Sequence, residues 1–308
     1  MSAEAARANE QIKLTGKNVA VAGGTQGIGR ATGERFAKAG ASVWVIGRNE
    51  QLGQEVVNSL KGKGAPHAEF IKADLSLISS MHKVAEEIKA KTDGRVDFLI
   101  TTQGGPPNGS FSITSEGHEK DFTVQVVSRF ALAYLLAESG TLKDTWLSVM
   151  APGGAKAAPP DLDDLELKSE KERNKWLVSR MIATGTRDGA VIDGVSAHFA
   201  TAYPHLRAAH VFPGLVITNA AANRGFPRPL VWLQSLFAPV LSRTIGSTPE
   251  GYAEIPFYVA ANPEARGKGL EFSKAPLKPI GAPAWTRENP ELRQKLWNQM
   301  RQMVDERK

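Results

Sequence analysis

The chain has 308 residues, of which 42% are apolar and 23% are charged, so it can bury a large core as one α/β domain. It contains no cysteine, which excludes disulfides, thiolate nucleophiles and cysteine-ligated metals, and its six histidines show no ligand-like pairing, so we expect no metal site. The formal net charge of +6 comes from scattered basic residues, which suit an anionic cofactor and do not form the blocks typical of nucleic-acid-binding arms.

The polar start of the chain predicts a flexible arm over residues 1–13, followed by a single domain over residues 14–308. We expect neither a signal peptide nor a membrane-spanning helix, because the arm has no apolar stretch of the necessary length. The sequence therefore predicts a cytoplasmic protein whose partner is a small molecule, with no nucleic acid and no membrane span.

Short β-branched runs alternate with longer amphipathic stretches along the chain. This alternation is typical of a parallel sheet that is covered by helices on both faces. It predicts an α/β fold of three layers, doubly wound, with a mainly parallel sheet of seven strands. The candidate strands are residues 19–22, 43–46, 69–71, 98–101, 146–149, 208–212 and 270–272.

The stretches between the strands predict helices, a loop and a candidate lid. Apolar residues at helical spacing predict covering helices over 77–88 and 182–199, and the polar stretch 155–176 predicts an exposed loop. Residues 220–248 are rich in Pro, Trp, Phe and Leu, which predicts either a lid over an apolar ligand or a helix packed on the domain. Membrane docking is a third alternative for that segment. The tail, 283–308, predicts a closing helix.

A glycine-rich turn follows the first predicted strand and leads directly into a helix. Residues 19–30 read Val-Ala-Val-Ala-Gly-Gly-Thr-Gln-Gly-Ile-Gly-Arg. Gly23 permits the tight turn, Gly27 lets the backbone approach a pyrophosphate, and Gly29 allows the helix to pack closely on the sheet. In this context the motif predicts a dinucleotide-binding Rossmann fold. Three further residues of the turn are expected to contact the cofactor: Thr25, Gln26 and Ile28.

The end of the second predicted strand indicates which dinucleotide binds. An NAD enzyme usually places an acidic residue there to hold the ribose 2′-hydroxyl, but residues 47–49 read Gly-Arg-Asn. Arg48 offers a fork of donors that suits a 2′-phosphate. The sequence therefore favours NADP(H) over NAD(H), the alternative being that Arg48 is an ordinary surface arginine.

With these motifs the chain resembles the short-chain dehydrogenase/reductases over roughly residues 14–275, although Ala22 replaces the threonine of the family's glycine motif. The resemblance implies that Asp74 and Leu75 bind the adenine, and that Thr218 and the backbone near Val216 position the carboxamide. It places further residues at the cofactor: Gln103, Gly104, Pro213 and Gly214. Family members usually assemble through their fifth and sixth helices, so a homo-oligomer is also implied.

The catalytic residues of that family are missing from this sequence. The family uses a tyrosine acid/base with a lysine four residues later, plus a serine and an asparagine. None of the four tyrosines here is followed by lysine at that spacing. The serine position falls on Ala151 and the asparagine position on Gln125. Two registers stay open for the tyrosine and lysine positions: Gly185 with Gly189, or Ala183 with Arg187.

Polar and charged residues near these positions are candidate replacements. Arg129 lies one helical turn beyond Gln125 and could orient or stabilise an anion, as could Arg187. Asp188 could shuttle a proton if a desolvated pocket raised its pKa. The alternatives are a surface ion pair for Arg187 and Asp188 and a solubilising helix residue for Arg129. We take these four residues, Gln125 included, as the candidate catalytic group.

Three functions fit this combination of an intact cofactor motif and an altered catalytic group. The first is an NADP(H)-dependent reductase of a bulky, apolar ketone, enone or imine in secondary metabolism; an iminium substrate would need no proton donor. The second is a non-redox cyclase, isomerase or dehydratase that works by positioning. The third is a non-catalytic, NADP-binding scaffold. The aromatic segment 226–237 argues against it, because exposing this apolar surface without a ligand would be costly.

Overall fold

The computed structural model describes residues 2–151, 156–214, 216, 218, 247–265, 272–274, 278–279 and 281–307. Its strands are β1 Asn18–Ala22, β2 Ser42–Gly47, β3 Ala68–Lys72, β4 Val96–Thr101, β5 Leu142–Val149, β6 Arg207–Phe212, β7 Phe272–Lys274 and β8 Lys278–Pro279. In the described residues they form one sheet in the order β3-β2-β1-β4-β5-β6-β7-β8. All pairs are parallel except β7 with β8.

The α/β fold with a parallel sheet is confirmed, and the predicted count of seven strands is corrected. Six strands, β1 to β6, have five to eight residues each. Two short strands of three and two residues follow at the β6 edge. The last predicted strand, 270–272, overlaps β7 only at Phe272 and misses β8. The rest of β7, Ser273 and Lys274, pairs with β6 through the backbone and carries no apolar alternation.

Helices cover both faces of the sheet. They are α1 Ser2–Asn9, α2 Gly27–Lys38, α3 Glu50–Gly62, α4 Ile78–Lys91, α5 Lys120–Phe122, α6 Ser128–Glu138, α7 Glu170–Arg173, α8 Leu177–Ala202, α9 Pro249–Ala261, α10 Trp285–Glu288 and α11 Pro290–Asp305. A π-helical turn, Thr123–Val127, joins α5 to α6. One face buries Phe36 and Phe257 against the sheet, and the other buries Phe130 and Phe199.

The predicted closing helix is confirmed as α11. Leu296 and Met300 are fully buried, and the Trp297 ring lies 5.0 Å from Phe130 of α6 and 4.7 Å from His198 of α8. The chain's own C-terminal helix therefore covers part of α6 and α8. Assembly of a homo-oligomer stays a prediction, and α11 covers part of the surface that α6 and α8 would offer for it.

The predicted flexible arm, residues 1–13, is wrong for most of its length. Residues 2–9 form α1, in which Ala5 and Asn9 are fully buried. The Asn9 amide donates to the Glu254 carbonyl at 2.9 Å and to its carboxylate at 2.8 Å, and Arg35 donates to the Asn9 carbonyl at 3.0 Å. Polar contacts with distant residues anchor the helix, so local hydrophobic periodicity gave no sign of it.

The predicted loop and the predicted helix 182–199 agree with the structure only in part, and most of the candidate lid lies outside the described residues. In the stretch predicted as an exposed loop, 155–176, Leu165 is buried and α7 forms a short helix. The predicted helix 182–199 lies within α8, but Ile182 is 64% exposed and does not face the core. The candidate lid lies outside the described residues from 219 to 246, and described chain resumes at Ser247, which forms a bridge with Val216.

Candidate active site

The glycine turn lies where the order of the sheet reverses. From β1 the chain continues to β2 and β3 on one side, and from β4 onward it builds the other side. A crevice therefore opens beyond the carboxyl ends of β1 and β4, which is where open α/β sheets bind their ligands. The backbone N–H and the hydroxyl of Thr102 both donate to the Ala22 carbonyl at 2.9 Å, so the two strand ends are held together.

Three glycines form what we call the glycine cradle, residues 23–29. Gly23 has φ +77°, and a Cβ there would lie 2.6 Å from the Gln103 nitrogen. A Cβ on Gly29 would lie 2.4 Å from the Gly23 carbonyl oxygen and from the Thr102 hydroxyl. Gly27 has φ +53° and begins α2, and the side chain of the N-cap residue Gln26 makes no capping hydrogen bond to the helix. The first amides of α2 are thus available to a pyrophosphate, so the cradle fits a dinucleotide.

The end of β2 fits a phosphate better than a ribose hydroxyl. Arg48 is exposed directly after Gly47, and Thr25 of the cradle packs against Gly47, where a Cβ would lie 2.7 Å from the threonine methyl. The nearby acid, Glu50, is bound to Lys72, with 2.8 Å between its carboxylate and the ammonium. In the described part of the chain no carboxylate forms an ion pair with Arg48.

The other residues expected at the cofactor surround the same crevice. Asp74 is exposed after β3, with its carboxylate accepting from the Ser76 N–H at 3.0 Å, while Leu75 is buried. Thr218 lies over the cradle, since its methyl group is 3.2 Å from the place of a Cβ on Gly27. Three more residues follow β6 or bridge to Ser247: Pro213, Gly214 (φ +63°) and Val216. Ile28 is half-buried in the first turn of α2.

Gln125 holds the loop that follows β4. Gly104 has φ +102°, and a Cβ there would lie 2.0 Å from the Gln125 side-chain oxygen. The Gln125 amide donates to the Gly105 carbonyl. In the same loop, the Gln103 amide donates to the Ser128 hydroxyl at 2.7 Å. At the position where the resemblance expects an asparagine, Gln125 therefore fixes backbone conformation.

Arg129 is buried and bonded to three backbone carbonyls. Its Nε donates to the Gln125 carbonyl at 2.6 Å, Nη2 donates to the Gln103 carbonyl at 2.5 Å, and Nη1 donates to the Thr101 carbonyl. Burial lowers the pKa of the guanidinium to about 9. The alternative that Arg129 is a solubilising surface residue is wrong, because only 2% of it is exposed. Its donors bind the loop after β4, so its contacts are those of a positioning residue.

Arg187 and Asp188 form a buried ion pair, so the surface alternative is wrong for them too. Asp188 is fully buried; one carboxylate oxygen accepts from Arg187 Nε at 2.7 Å and the other has no hydrogen-bond partner. Burial raises the pKa of Asp188 against the opposing effect of Arg187. Arg187 also donates to the Leu165 carbonyl at 2.8 Å and lies over the Phe122 ring at 4.6 Å.

Glu119 is a candidate that the sequence reasoning missed. Its two carboxylate oxygens accept from the N–H groups of Asp121 at 2.9 Å and Phe122 at 2.7 Å, at the start of α5. Burial raises the pKa of Glu119 to about 7, against the attraction of Arg187, whose Nη2 is 3.7 Å away. No local pattern marks this glutamate, because only the fold brings α5 and α8 together.

Glu119 and Arg187 belong to one cleft beside α8, which we call the α8 cleft. The pKa of the neighbouring Glu166 is shifted in the opposite direction from that of Glu119. Burial raises the pKa of Glu166, but hydrogen bonds from His118 and Lys168 lower it to about 2. The α8 cleft is lined by Gly109, Ser110, Phe111, Glu119, Glu166, Leu167, Glu172, Arg173, Arg180, Ala183, Thr184 and Arg187. Two adjacent carboxyl groups therefore differ in charge near neutral pH.

Comparison with known proteins finds a family match over part of the chain. Residues 17–140 match the short chain dehydrogenase family. An uncharacterised oxidoreductase of Saccharomyces cerevisiae is 29% identical over 216 residues, which are 67% of this chain and 63% of the yeast protein. The polyprenol dehydrogenase of Mus musculus is 27% identical over 305 residues, 92% of this chain and 82% of the mouse protein.

Solved structures show the same fold over most of the chain. A short chain dehydrogenase from Burkholderia cenocepacia in complex with NADP superposes with a TM-score of 0.63 and 20% identity, covering 85% of this chain and 97% of that one. The chain therefore has the Rossmann-type α/β fold of that structure. It spans just under two thirds of the length of the yeast relative.

The structure places the residues that the sequence analysis aligned with the catalytic group of the short-chain dehydrogenases. Ala151 is exposed after β5, whereas Ser148 is buried within it. Ala183 and Arg187 line the α8 cleft, while Gly185 packs against Pro107. The second register, Ala183 with Arg187, is thus the one in which both positions face the cleft. Which register corresponds to the family stays a prediction.

None of the four tyrosines is among the described residues that line the α8 cleft. Tyr134 on α6 donates to Asp305 at 3.2 Å, Tyr203 follows α8 and donates to Glu138, and Tyr252 and Tyr258 belong to α9. Burial raises the pKa of Tyr134, Tyr203 and Tyr252, the reverse of what a tyrosine acid/base needs.

Two further site types have no support in the described segments of the chain. No group of three His, Asp or Glu side chains there is arranged to hold a metal ion. None of the helices there has the combination of length and apolarity that crossing a bilayer requires.

Proposed function

We propose that this protein is an NADP(H)-dependent reductase of the short-chain dehydrogenase type that acts on a bulky, apolar ketone, enone or imine. The observation that carries the proposal is the glycine cradle at the reversal of the sheet, together with exposed Arg48 after β2, which pairs with no carboxylate among the described residues. The family match over residues 17–140 supports oxidoreductase chemistry. The mouse relative's name, polyprenol dehydrogenase, supports an apolar substrate.

The cofactor would be held by this chain's backbone at one end and by side chains at the other. The amides of the cradle and of α2 would bind the pyrophosphate, and Arg48 would bind the 2′-phosphate. Asp74 would accept a hydrogen bond from the adenine amino group. NADPH supplies a hydride when bound, and every other part of the reaction falls to the protein and the substrate.

Glu119 is the proposed source of the proton. A carboxyl group whose pKa is about 7 is protonated in a large fraction of molecules at neutral pH, so it can donate to a carbonyl oxygen as the hydride reaches the carbon. The carboxylate left on Glu119 would regain its proton from water. An iminium substrate needs hydride alone, so its reduction would proceed without Glu119.

Arg187 and Asp188 are assigned to orientation. Arg187 is the residue that links Glu119 to Asp188, at 3.7 Å and 2.7 Å respectively. Asp188 is fully buried and is not part of the cleft lining, so it would act through Arg187 and not on the substrate. Gln125 and Arg129 would hold the loop after β4 in place.

Other expectations from the sequence stay predictions. These are a role in secondary metabolism, a cytoplasmic location, a homo-oligomer and a substrate lid over residues 220–248. The non-redox enzyme and the non-catalytic scaffold are the outcomes that the following experiment would favour if the reductase proposal failed.

The test is NADPH oxidation, followed at 340 nm, with a panel of aromatic and alicyclic ketones, the matching enones, and cyclic imines. We expect the wild-type protein to reduce at least one ketone or imine. Glu119→Gln should slow ketone reduction by about 100-fold and leave unchanged the reduction of a cyclic imine that is already protonated to its iminium ion. Glu170→Gln, which alters an exposed carboxylate on α7, serves as the matched control. NADPH binding without oxidation by any substrate would contradict the reductase proposal and favour a non-redox reaction.

A further inference from the structure

One face of α8 presents two arginines to the α8 cleft. Arg180 and Arg187 are seven residues apart, which places them two turns apart on the same side of a helix, and Thr184 lies between them. All three line the cleft. Cationic and hydroxyl donors therefore follow one another along a single wall.

Both guanidinium groups have a buried nitrogen that lacks an acceptor. Arg187 is 6% exposed, and its Nη2 makes no hydrogen bond; Arg180 Nε is also buried and without a partner. The Glu119 carboxylate is 3.7 Å from Arg187 Nη2, too far for a hydrogen bond, and both of its oxygens accept from backbone N–H groups. A buried donor without an acceptor is costly, so Arg187 Nη2 and Arg180 Nε can each take a further hydrogen-bond acceptor.

The acids that share the cleft do not supply that partner. Glu166 is bound to Lys168 and His118, and both oxygens of Glu172 are bound by Lys175, at 2.5 Å and 2.6 Å. Arg180 has no ion pair in the described part of the chain. Of the three arginines in the cleft lining, Arg173 and Arg180 therefore have no ion pair among the described residues.

The same cleft has apolar surface beside the arginines. Phe111 and Leu167 line it together with Ala183, and Leu177 and Met181 of α8 pack against Gly109 at its edge. Such a mixture of apolar surface and a few polar donors is typical of a pocket that fixes the orientation of an amphipathic small molecule.

We infer that the α8 cleft binds a substrate with a carboxylate attached to an apolar body, and that Arg180 and Arg187 hold the carboxylate. The inference rests on the proposed function, since it names the class of molecule that the reductase would take. A guanidinium suits a carboxylate because it can offer two parallel N–H donors to its two oxygens. Arg180 then determines specificity for acidic over neutral substrates.

The test uses dodecanoate as the probe and 1-dodecanol as its uncharged counterpart, with binding measured by isothermal titration calorimetry. We expect the wild-type protein to bind dodecanoate at least about tenfold more tightly than the alcohol. Arg180→Gln should weaken dodecanoate binding by about tenfold and leave the alcohol unchanged. Lys171→Gln, which removes an exposed charge on α7, should change neither affinity.

Arg180 is only partly buried, so its replacement should leave the fold intact, which a thermal melt of each variant would check. Equal wild-type affinity for the acid and the alcohol, no binding of either, or no effect of Arg180→Gln would overturn the inference. A parallel NADPH titration separates the two proposals. Loss of NADPH binding in Arg180→Gln with dodecanoate unaffected would assign the arginine to the cofactor and also overturn the inference.

Discussion

The glycine cradle and the α8 cleft are built in different ways. The cradle consists of backbone: Gly23 and Gly29 leave no space for a side chain, and the first amides of α2 are its donors. The cleft consists of side chains from three separate stretches, represented by Glu119, Glu166 and Arg187. A site made of backbone requires certain residues at fixed spacing, whereas a site made of side chains can be rebuilt without leaving a local pattern.

The largest effect is expected in the cradle. In Gly29→Ala the new methyl group would lie 2.4 Å from the Gly23 carbonyl oxygen and from the Thr102 hydroxyl, so the turn must move. We expect NADPH affinity to fall by about 1,000-fold or more, equivalent to about 4 kcal/mol. The matched control is Gly62→Ala at the end of α3, where nothing lies within 4 Å of the added methyl. Equal NADPH affinity in the two variants, by fluorescence titration, would show that the cradle does not hold the nucleotide.

The next largest effect is expected at Glu119 in the α8 cleft, where the free energy of unfolding should depend on pH. Burial raises the pKa of Glu119 from 4.5 to about 7, so the folded state holds a proton that the unfolded state loses between these values. The associated stability is present in full below pH 4.5 and is lost as the pH rises through about 7, a change on the order of 3 kcal/mol. Glu119→Gln should flatten this part of the pH profile of urea unfolding. A slope identical to that of Glu170→Gln would show that Glu119 is not buried as described.

A smaller effect is expected at Arg129, which binds the loop after β4. Lysine in its place would keep the charge but could not reach the three carbonyls that the guanidinium binds. We expect Arg129→Lys to lower the free energy of unfolding by about 2 kcal/mol and to weaken NADPH binding through the loop after β4. Urea unfolding measures the first effect. An unchanged midpoint would mean that the loop is held by other contacts.

The smallest effect is expected at exposed Arg48. Arg48→Ala should weaken NADPH binding by about tenfold, close to 1.4 kcal/mol, and leave NADH binding unchanged. The NADH titration is the internal control, because NADH lacks the 2′-phosphate. Equal losses for both nucleotides would show that Arg48 does not read that phosphate.

The sequence predicted the cradle well because its residues are contiguous. Val19 to Arg30 form strand, turn and helix in one run, and the six longer strands follow from β-branched segments. The arm was mispredicted because α1 is held by Asn9 through contacts with Glu254, at the far end of the chain. Contacts of this kind leave no periodicity in the sequence.

The cleft could be predicted only in part. Arg187 and Asp188 were found because they lie next to positions that a family motif defines, and their burial was not foreseen. Glu119 was missed because its raised pKa depends on burial and on the approach of α8, neither of which is encoded near residue 119. The pairing of Glu166 with Lys168 and His118 likewise lies within a stretch that reads as an exposed polar loop.

The central claim is that the cradle binds NADP(H). The most direct measurement is a titration of the wild-type protein with NADPH and with NADH, followed by quenching of its six tryptophans. We expect saturable quenching by NADPH, with a dissociation constant at least about tenfold below that of NADH. Absence of saturable binding of either nucleotide, by fluorescence and by calorimetry, would contradict it.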